Sequence, residues 1–230
     1  MGWIRHGTSA VEADVAALAD GDLSSPSGLP GWSRAHVVSH VARNADALGN
    51  LLIWAQTGVE TPMYANPARR AEQIEDGARR PAADIRADLL RSDEHFDAVL
   101  AATEGSQWDT VVRTVLGREV PAHEVPWLRV REIWIHRLDL DPTTVGELPA
   151  DLADALLAEV VGHFATIAAT PPLRLVAGDR PETELTLSGS GGPPVTVEGP
   201  AADLLAWLIG RHPASPLAAD AALPVLPPWL

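Results

Sequence analysis

The sequence contains no cysteine among its 230 residues. This absence excludes disulfide bonds, metal sites built from thiolates and catalysis by a cysteine nucleophile. If the protein carries out sulfur chemistry, the thiol must come from another molecule. Tyrosine and phenylalanine are scarce as well, with one and two copies beside eight tryptophans. We interpret most of the tryptophans as anchors of the core.

Basic residues and long apolar runs are also in short supply. Lysine and arginine number 17 against 31 acidic residues, which gives a formal net charge of −14. Such a field repels phosphate backbones, so a nucleic-acid partner is not expected. The chain has no run of about 18 apolar residues, and its N-terminus lacks the apolar core of a secretory signal. We therefore expect no membrane partner and a cytoplasmic location.

The spacing of the apolar residues predicts helices through the first 140 residues. Ser9 begins a sequence with the spacing of a capping box, and Ser33 is a candidate N-cap for a second helix. The predicted helices cover 9–20, 34–58, 67–103 in two pieces, and 122–138. Residues 104–121 are predicted to be irregular. The segment TPMYANPARR, which contains Tyr64, Arg69 and Arg70, is interpreted as a solvated loop.

The pattern changes after DPTTVGELP. A predicted helix over 150–169 is followed by three runs that resemble strands, LRLVA, TELTLS and PVTVEG, and then by a last helix, AADLLAWLIG, and a proline-rich tail. We predict an α+β fold, with a four-helix bundle over 1–145 and a small α/β domain over 146–230.

Two pairs of residues with metal-binding chemistry occur at helical i,i+4 spacing. His36 and His40 lie on the second predicted helix, and Glu132 and His136 lie on the fifth. Either pair alone is typical of an ordinary helix surface. Together, on separate helices of one bundle, they predict a site of three or four ligands. Two histidines and one carboxylate suit zinc with an open fourth position as well as non-haem iron, so the ligand types leave the metal open.

Three segments together resemble the mycothiol-dependent maleylpyruvate isomerase family. They are LPGWSRAHVVSHVARNADAL, VPWLRVREIWIHRLDLD and VEGPAADLLAWLIGRH. The resemblance implies that the bundle is DinB-like and that a zinc ion is held by His40, Glu132 and His136. It makes His36 a residue of the helix face or a partner of a ligand. It also implies that Arg211 is important for activity.

The activity implied by the resemblance is isomerisation of maleylpyruvate to fumarylpyruvate. Zinc and mycothiol would be the cofactors: the thiolate adds to the cis double bond, the bond rotates and the thiol is eliminated. Arg211 would bind a substrate carboxylate or stabilise the enolate charge. A mycothiol S-transferase acting on another electrophile is an alternative. A second alternative is a non-catalytic module that binds a small ligand, and a third is a hydrolase or iron oxygenase. The sequence leaves the oligomeric state open.

Overall fold

One long helix, α2, organises the N-terminal half of the chain. It covers Arg34–Thr57, begins at the Ser33 N-cap and ends at Gly58, whose φ of 71° is the left-handed conformation that glycine adopts most readily. Its apolar residues at helical spacing, Val37, Val41, Leu48 and Leu52, are buried. The second predicted helix is thereby confirmed.

The computed structural model describes residues 2–180, 184–189, 192–213 and 215–229. These divide into two units, Met1–Leu140 and Asp141–Leu230, and the chain has the predicted α+β fold, with a mostly helical N-terminal part and a small mixed sheet in the C-terminal part. The domain boundary near residue 145 stays a prediction.

Among its described residues, the first unit is a four-helix bundle with one additional α-helix and three short 3-10 turns. Helices α1, α2, α4 and α5 form the bundle, and α3 packs against α2. The other helices have these bounds: α1 Gly2–Ala17, α3 Pro67–Ala78, α4 Ala82–Ala101 and α5 Val125–Leu140. Residues 104–121, which were predicted to be irregular, include a short antiparallel hairpin, with β1 at Val111–Arg113 and β2 at Glu119–Pro121.

The predicted start of the first helix is wrong. The helix begins at Gly2, so Ser9 lies inside it rather than at its N-cap. The cause is packing: Ile4, Val11 and Val15 form one buried row along a helix that packs on α4 and α5. Burial of that row outweighs the local capping signal at Ser9.

The second unit is a four-stranded mixed sheet with two helices. The strands have the order β4-β3-β5-β6; β3 and β5 are parallel, and the outer pairs are antiparallel. The elements are α6 Ala150–Phe164, β3 Leu173–Ala177, β4 Glu184–Leu187, β5 Val195–Gly199, α7 Ala201–Leu208 and β6 Ala218–Ala219. Helix α6 ends five residues before its predicted end, and Thr183 of the run TELTLS lies outside the described residues. Among the helices of the described residues, none is both long and apolar enough to span a bilayer.

Candidate metal centre

The start of α2 fixes the position of both of its histidines. The Ser33 side chain accepts a hydrogen bond from the His36 backbone N–H, and Nδ1 of His36 accepts one from the Ser33 backbone N–H at 3.2 Å. His36 is therefore the reciprocal partner in a capping box. Its other ring nitrogen lies 3.4 Å from a carboxylate oxygen of Glu75. Within the described residues, His36 thus contacts the helix start at Ser33 and Glu75 of α3, and it contacts none of His40, Glu132 and His136.

Helices α2 and α5 bring His40, Glu132 and His136 together. Nε2 of His40 lies 3.0 Å from Oε2 of Glu132 and 3.0 Å from Nε2 of His136, and the remaining distance, between His136 Nε2 and Glu132 Oε2, is 3.4 Å. The side chains are 5%, 25% and 15% exposed, respectively. Within the described residues, these three form a group with one potential ligand atom each, all within 4.8 Å of one another.

The pKa values of the three residues shift in different directions. Burial disfavours the charged form of His136, but hydrogen bonds to Asp139 and Glu132 outweigh burial and raise its pKa to about 9. The Glu132 pKa lies well below its usual range, because hydrogen bonds from the two histidines outweigh its burial. Burial lowers the pKa of His40, despite its hydrogen bond to Glu132. The group therefore combines a strongly ionised carboxylate with two ring nitrogens that face it.

Asp139 is a functional candidate that the sequence analysis missed. It is fully buried at the end of α5, and its Oδ2 accepts a hydrogen bond from Nδ1–H of His136 at 2.8 Å. This bond places the proton on Nδ1, which leaves the Nε2 lone pair of a neutral His136 directed toward His40 and Glu132. Histidine ligands in metal sites usually have such a partner on their second nitrogen. The i,i+3 spacing of His136 and Asp139 was the available sequence signal.

We predict that Asp139→Asn lowers the zinc affinity of the protein about 10–100-fold, because the amide orients the His136 ring less strongly than the carboxylate does. Competition with a chromophoric chelator measures the affinity. The control is Glu75→Gln, which removes an equal charge from a residue that contacts His36 but none of the three clustered residues. Equal zinc affinities in the wild type and Asp139→Asn would contradict the orienting role.

The second nitrogen of His40 has a different kind of partner. Asn66 caps α3 by accepting the Arg69 backbone N–H at 2.8 Å, and this turn positions Arg70 so that its Nη2 lies 3.3 Å from Nδ1 of His40. The guanidinium also lies over the Tyr64 ring, 5.9 Å from its centre. The interpretation of this segment as a solvated loop is therefore wrong for Arg70, which is half-buried against the cluster.

Arg211 lies in the second unit, just after α7. Its backbone N–H donates to the Ala206 carbonyl and its Nη1–H donates to the Ile209 carbonyl, both at 2.7 Å. It lines a cleft of about 490 Å³ together with Trp207 and Trp229. These contacts fix the residue at the end of the helix, and its predicted importance for activity stays a prediction.

The donor set fits a divalent cation such as zinc. Tetrahedral zinc bonds of about 2.0–2.2 Å to nitrogen and oxygen place neighbouring ligand atoms about 3.3–3.5 Å apart. The observed separations of 3.0, 3.0 and 3.4 Å are close to this spacing. Nδ1 of His136, which faces away from the cluster, carries a proton, and a cation at Nε2 would take the place of the second proton that a pKa of about 9 keeps there at neutral pH. Neutral His40 reaches the same state when Nδ1 carries its proton, which requires the Arg70 guanidinium to move off that atom.

The fold and the cluster define a class of protein: a helical bundle with two histidines and a glutamate converging between two of its helices, followed by a small α/β domain. The family models identify it further. Residues 4–141 match the mycothiol maleylpyruvate isomerase N-terminal domain, and residues 147–228 match the C-terminal domain of the same family. The chain belongs to the mycothiol maleylpyruvate isomerase family, which confirms the resemblance inferred from sequence.

Solved structures agree with the family models. A crystal structure of a mycothiol-dependent maleylpyruvate isomerase shares 33% sequence identity with the chain, with a TM-score of 0.91 over 99% of this chain and 95% of that one. A structure of a histidine-to-alanine mutant of a mycothiol-dependent maleylpyruvate isomerase matches at 32% identity with the same score and coverage. No curated protein matches the chain in sequence. The protein is thus homologous to an enzyme.

Proposed function

We propose that this protein binds a divalent metal ion, zinc in the first instance, and uses it with mycothiol to isomerise maleylpyruvate to fumarylpyruvate. One observation carries the proposal: His40, Glu132 and His136 converge with separations of 3.0–3.4 Å in a chain of this family. Mycothiol and maleylpyruvate are suggested by the names of the family and of the homologous crystal structures.

Each residue of the cluster has a stated task in this proposal. Nε2 of His40, Oε2 of Glu132 and Nε2 of His136 hold the cation, and Asp139 keeps the His136 proton on Nδ1. A divalent cation held there would keep a coordinating thiol in its thiolate form at neutral pH. The reacting thiol comes from mycothiol, because the chain has no cysteine.

The reaction requires that a carbon–carbon double bond become single for long enough to rotate. Addition of the mycothiol sulfur to the cis double bond of maleylpyruvate achieves this and places the electron pair on the neighbouring carbonyl as an enolate. Arg211 binds a substrate carboxylate or stabilises this enolate charge, a role that suits the forked guanidinium. Expulsion of the thiol after rotation gives the trans product.

Calorimetric titration of mycothiol into zinc-analysed protein tests the proposal. We expect about one zinc per chain, mycothiol binding that disappears when a chelator removes the metal, and isomerisation of maleylpyruvate that depends on added mycothiol. Protein that binds neither zinc nor mycothiol would contradict the proposal and favour a non-catalytic module. Zinc-dependent mycothiol binding without isomerisation would assign the site to an S-transferase with another electrophile.

A further inference from the structure

Arg70 differs from most arginines of the bundle in its partners. Arg43, Arg69 and Arg129, for example, each lie within 4 Å of a carboxylate. Over the part of the chain that the structure describes, Arg70 forms no such ion pair; its side chain contacts Nδ1 of His40 and the ring and hydroxyl of Tyr64. A half-buried guanidinium thus lies beside the candidate metal centre with no anionic partner, in a protein with a net charge of −14.

The contact between Arg70 and His40 holds only while His40 carries no metal. A guanidinium N–H can only donate, so Nδ1 must be the acceptor, and the proton of neutral His40 is then on Nε2. A cation bound at Nε2 moves that proton to Nδ1, where it faces the Arg70 donor. Loading the site therefore takes this acceptor from the Arg70 side chain and leaves Tyr64 as its remaining partner among the described residues, with no anion beside it.

A carboxylate is the chemical group that best satisfies a guanidinium in this position. It accepts two parallel hydrogen bonds from the arginine fork, and such charge-assisted bonds are stronger than neutral ones. The guanidinium also lies over the Tyr64 ring, and this cation–π contact keeps it near the site when it moves off Nδ1 of His40 to bind a carboxylate. Tyr64 itself is uncharged, because burial raises the pKa of its hydroxyl.

We propose that Arg70 binds a carboxylate of the electrophilic acceptor and thereby selects anionic acceptors for this site. This inference rests on the proposed function for the existence of an acceptor, and it concerns a residue to which neither the sequence analysis nor the family match assigns a role. Arg70 acts as a substrate-binding residue, beside the cation-holding residues and separate from Arg211.

The test compares Arg70→Gln with Arg69→Gln, the neighbouring residue, which is exposed and paired with Glu72. Both variants lose one positive charge from the same turn of α3. Succinate, a dicarboxylate without a reactive double bond, is titrated calorimetrically into each zinc-loaded protein. We expect Arg70→Gln to bind succinate about tenfold or more weakly than the wild type, Arg70→Lys to lie between them, and Arg69→Gln to match the wild type.

Zinc affinity is the second readout, and it distinguishes a substrate-binding role from a structural one. Arg70→Gln should bind zinc as tightly as the wild type or more tightly, because the contact that competes for His40 is gone. A weaker zinc affinity in Arg70→Gln would overturn the inference, as would unchanged succinate binding in that variant or equal losses in both variants. A wild type that binds zinc but no succinate would overturn it too.

Kinetics separates this inference from the proposed function. If the wild type isomerises maleylpyruvate, Arg70→Gln should raise the KM for maleylpyruvate about tenfold while the KM for mycothiol stays unchanged. If the wild type binds zinc and mycothiol without isomerising maleylpyruvate, the proposed reaction fails, whereas the succinate titration still decides the role of Arg70.

Discussion

Replacing Glu132 by glutamine is expected to abolish stoichiometric zinc binding and, with it, mycothiol binding and isomerisation. Glu132 supplies the only carboxylate among the three clustered residues, and its Oε2 lies 3.0 Å from His40 and 3.4 Å from His136. Glutamine has nearly the same shape, but it carries no charge, and its amide NH2 group donates hydrogen bonds where the carboxylate oxygen accepts them. The loss of zinc affinity should exceed the factor of about 10–100 that is typical when only an outer partner of a ligand is removed.

Metal analysis after dialysis and chelator competition measure this effect. Glu124→Gln is the matched control, since Glu124 lies just before α5 and pairs with Arg118 rather than with the cluster. Circular dichroism should show the same helix content for both variants and the wild type. Full zinc occupancy in Glu132→Gln would exclude Glu132 as a ligand and, with it, the three-residue site.

The proximity of the three proposed ligands could be predicted from sequence for a simple physical reason. The i,i+4 spacing places Glu132 and His136 on one side of any helix that contains them, whatever that helix packs against. The position of His40 could not be predicted from local spacing, because Glu132 and His136 lie 92 and 96 positions further along the chain. The motif on α2 made His40 a candidate, and the family resemblance chose it over His36. That these residues bind a metal stays a prediction.

The parts of the site that were missed depend on contacts between distant segments. Arg70 reaches His40 only because α3 packs on α2 and begins at the Asn66 cap. The composition of TPMYANPARR is typical of a loop, but composition does not show where the helix that follows packs. His36 shows the opposite case: its contact with Ser33 is local, since a histidine at the third helical position can complete a capping box in place of the usual glutamate.

The fold likewise has parts that local sequence determines and parts that depend on contacts between distant segments. The helix over 34–58 and the division of 67–103 into two helices could be predicted from the spacing of apolar residues and from proline geometry, and both are confirmed. The early start of α1 and the hairpin in 104–121 depend on surfaces of other elements. Burial against other elements determines the structure of such regions, and the residue propensities of a single sequence give little information about that burial.

A buried ion pair and its neighbouring hydrogen bonds connect α2, α4 and α5. Arg129 of α5 is fully buried, and its Nη2 donates to Oδ1 of Asp93 on α4. Its Nη1 donates to the Val41 carbonyl and to Oδ1 of Asn44 on α2, both at 2.9 Å. Burial raises the pKa of Asp93, although Arg129 beside it acts in the opposite direction. The pair thus joins the two ligand-bearing helices one residue after His40 and one turn before Glu132.

Arg129→Met is expected to lower the free energy of unfolding of the metal-free protein by about 3–5 kcal/mol, because it leaves Asp93 buried without its charge partner. Urea unfolding measures the loss, which is a large share of the roughly 5–15 kcal/mol typical of a domain. The control, Arg91→Met, removes an exposed partner of Asp88 and should cost at most about 1 kcal/mol. The double variant Arg129→Met with Asp93→Leu should recover much of the loss, because no unpaired charge remains in the core.

The same variants test whether the ion pair also supports the metal centre. Arg129 positions the α2 backbone at Val41 relative to α5, so its loss should weaken zinc binding in any Arg129→Met protein that still folds, and the double variant should share that weakening while regaining stability. The double variant would then regain stability without regaining zinc affinity. A double variant that regains both stability and zinc affinity would show that packing alone sets the distance between His40 and the Glu132–His136 pair. If Arg129→Met lowers the free energy of unfolding by less than about 1 kcal/mol, the energetic role of the Arg129–Asp93 ion pair is contradicted.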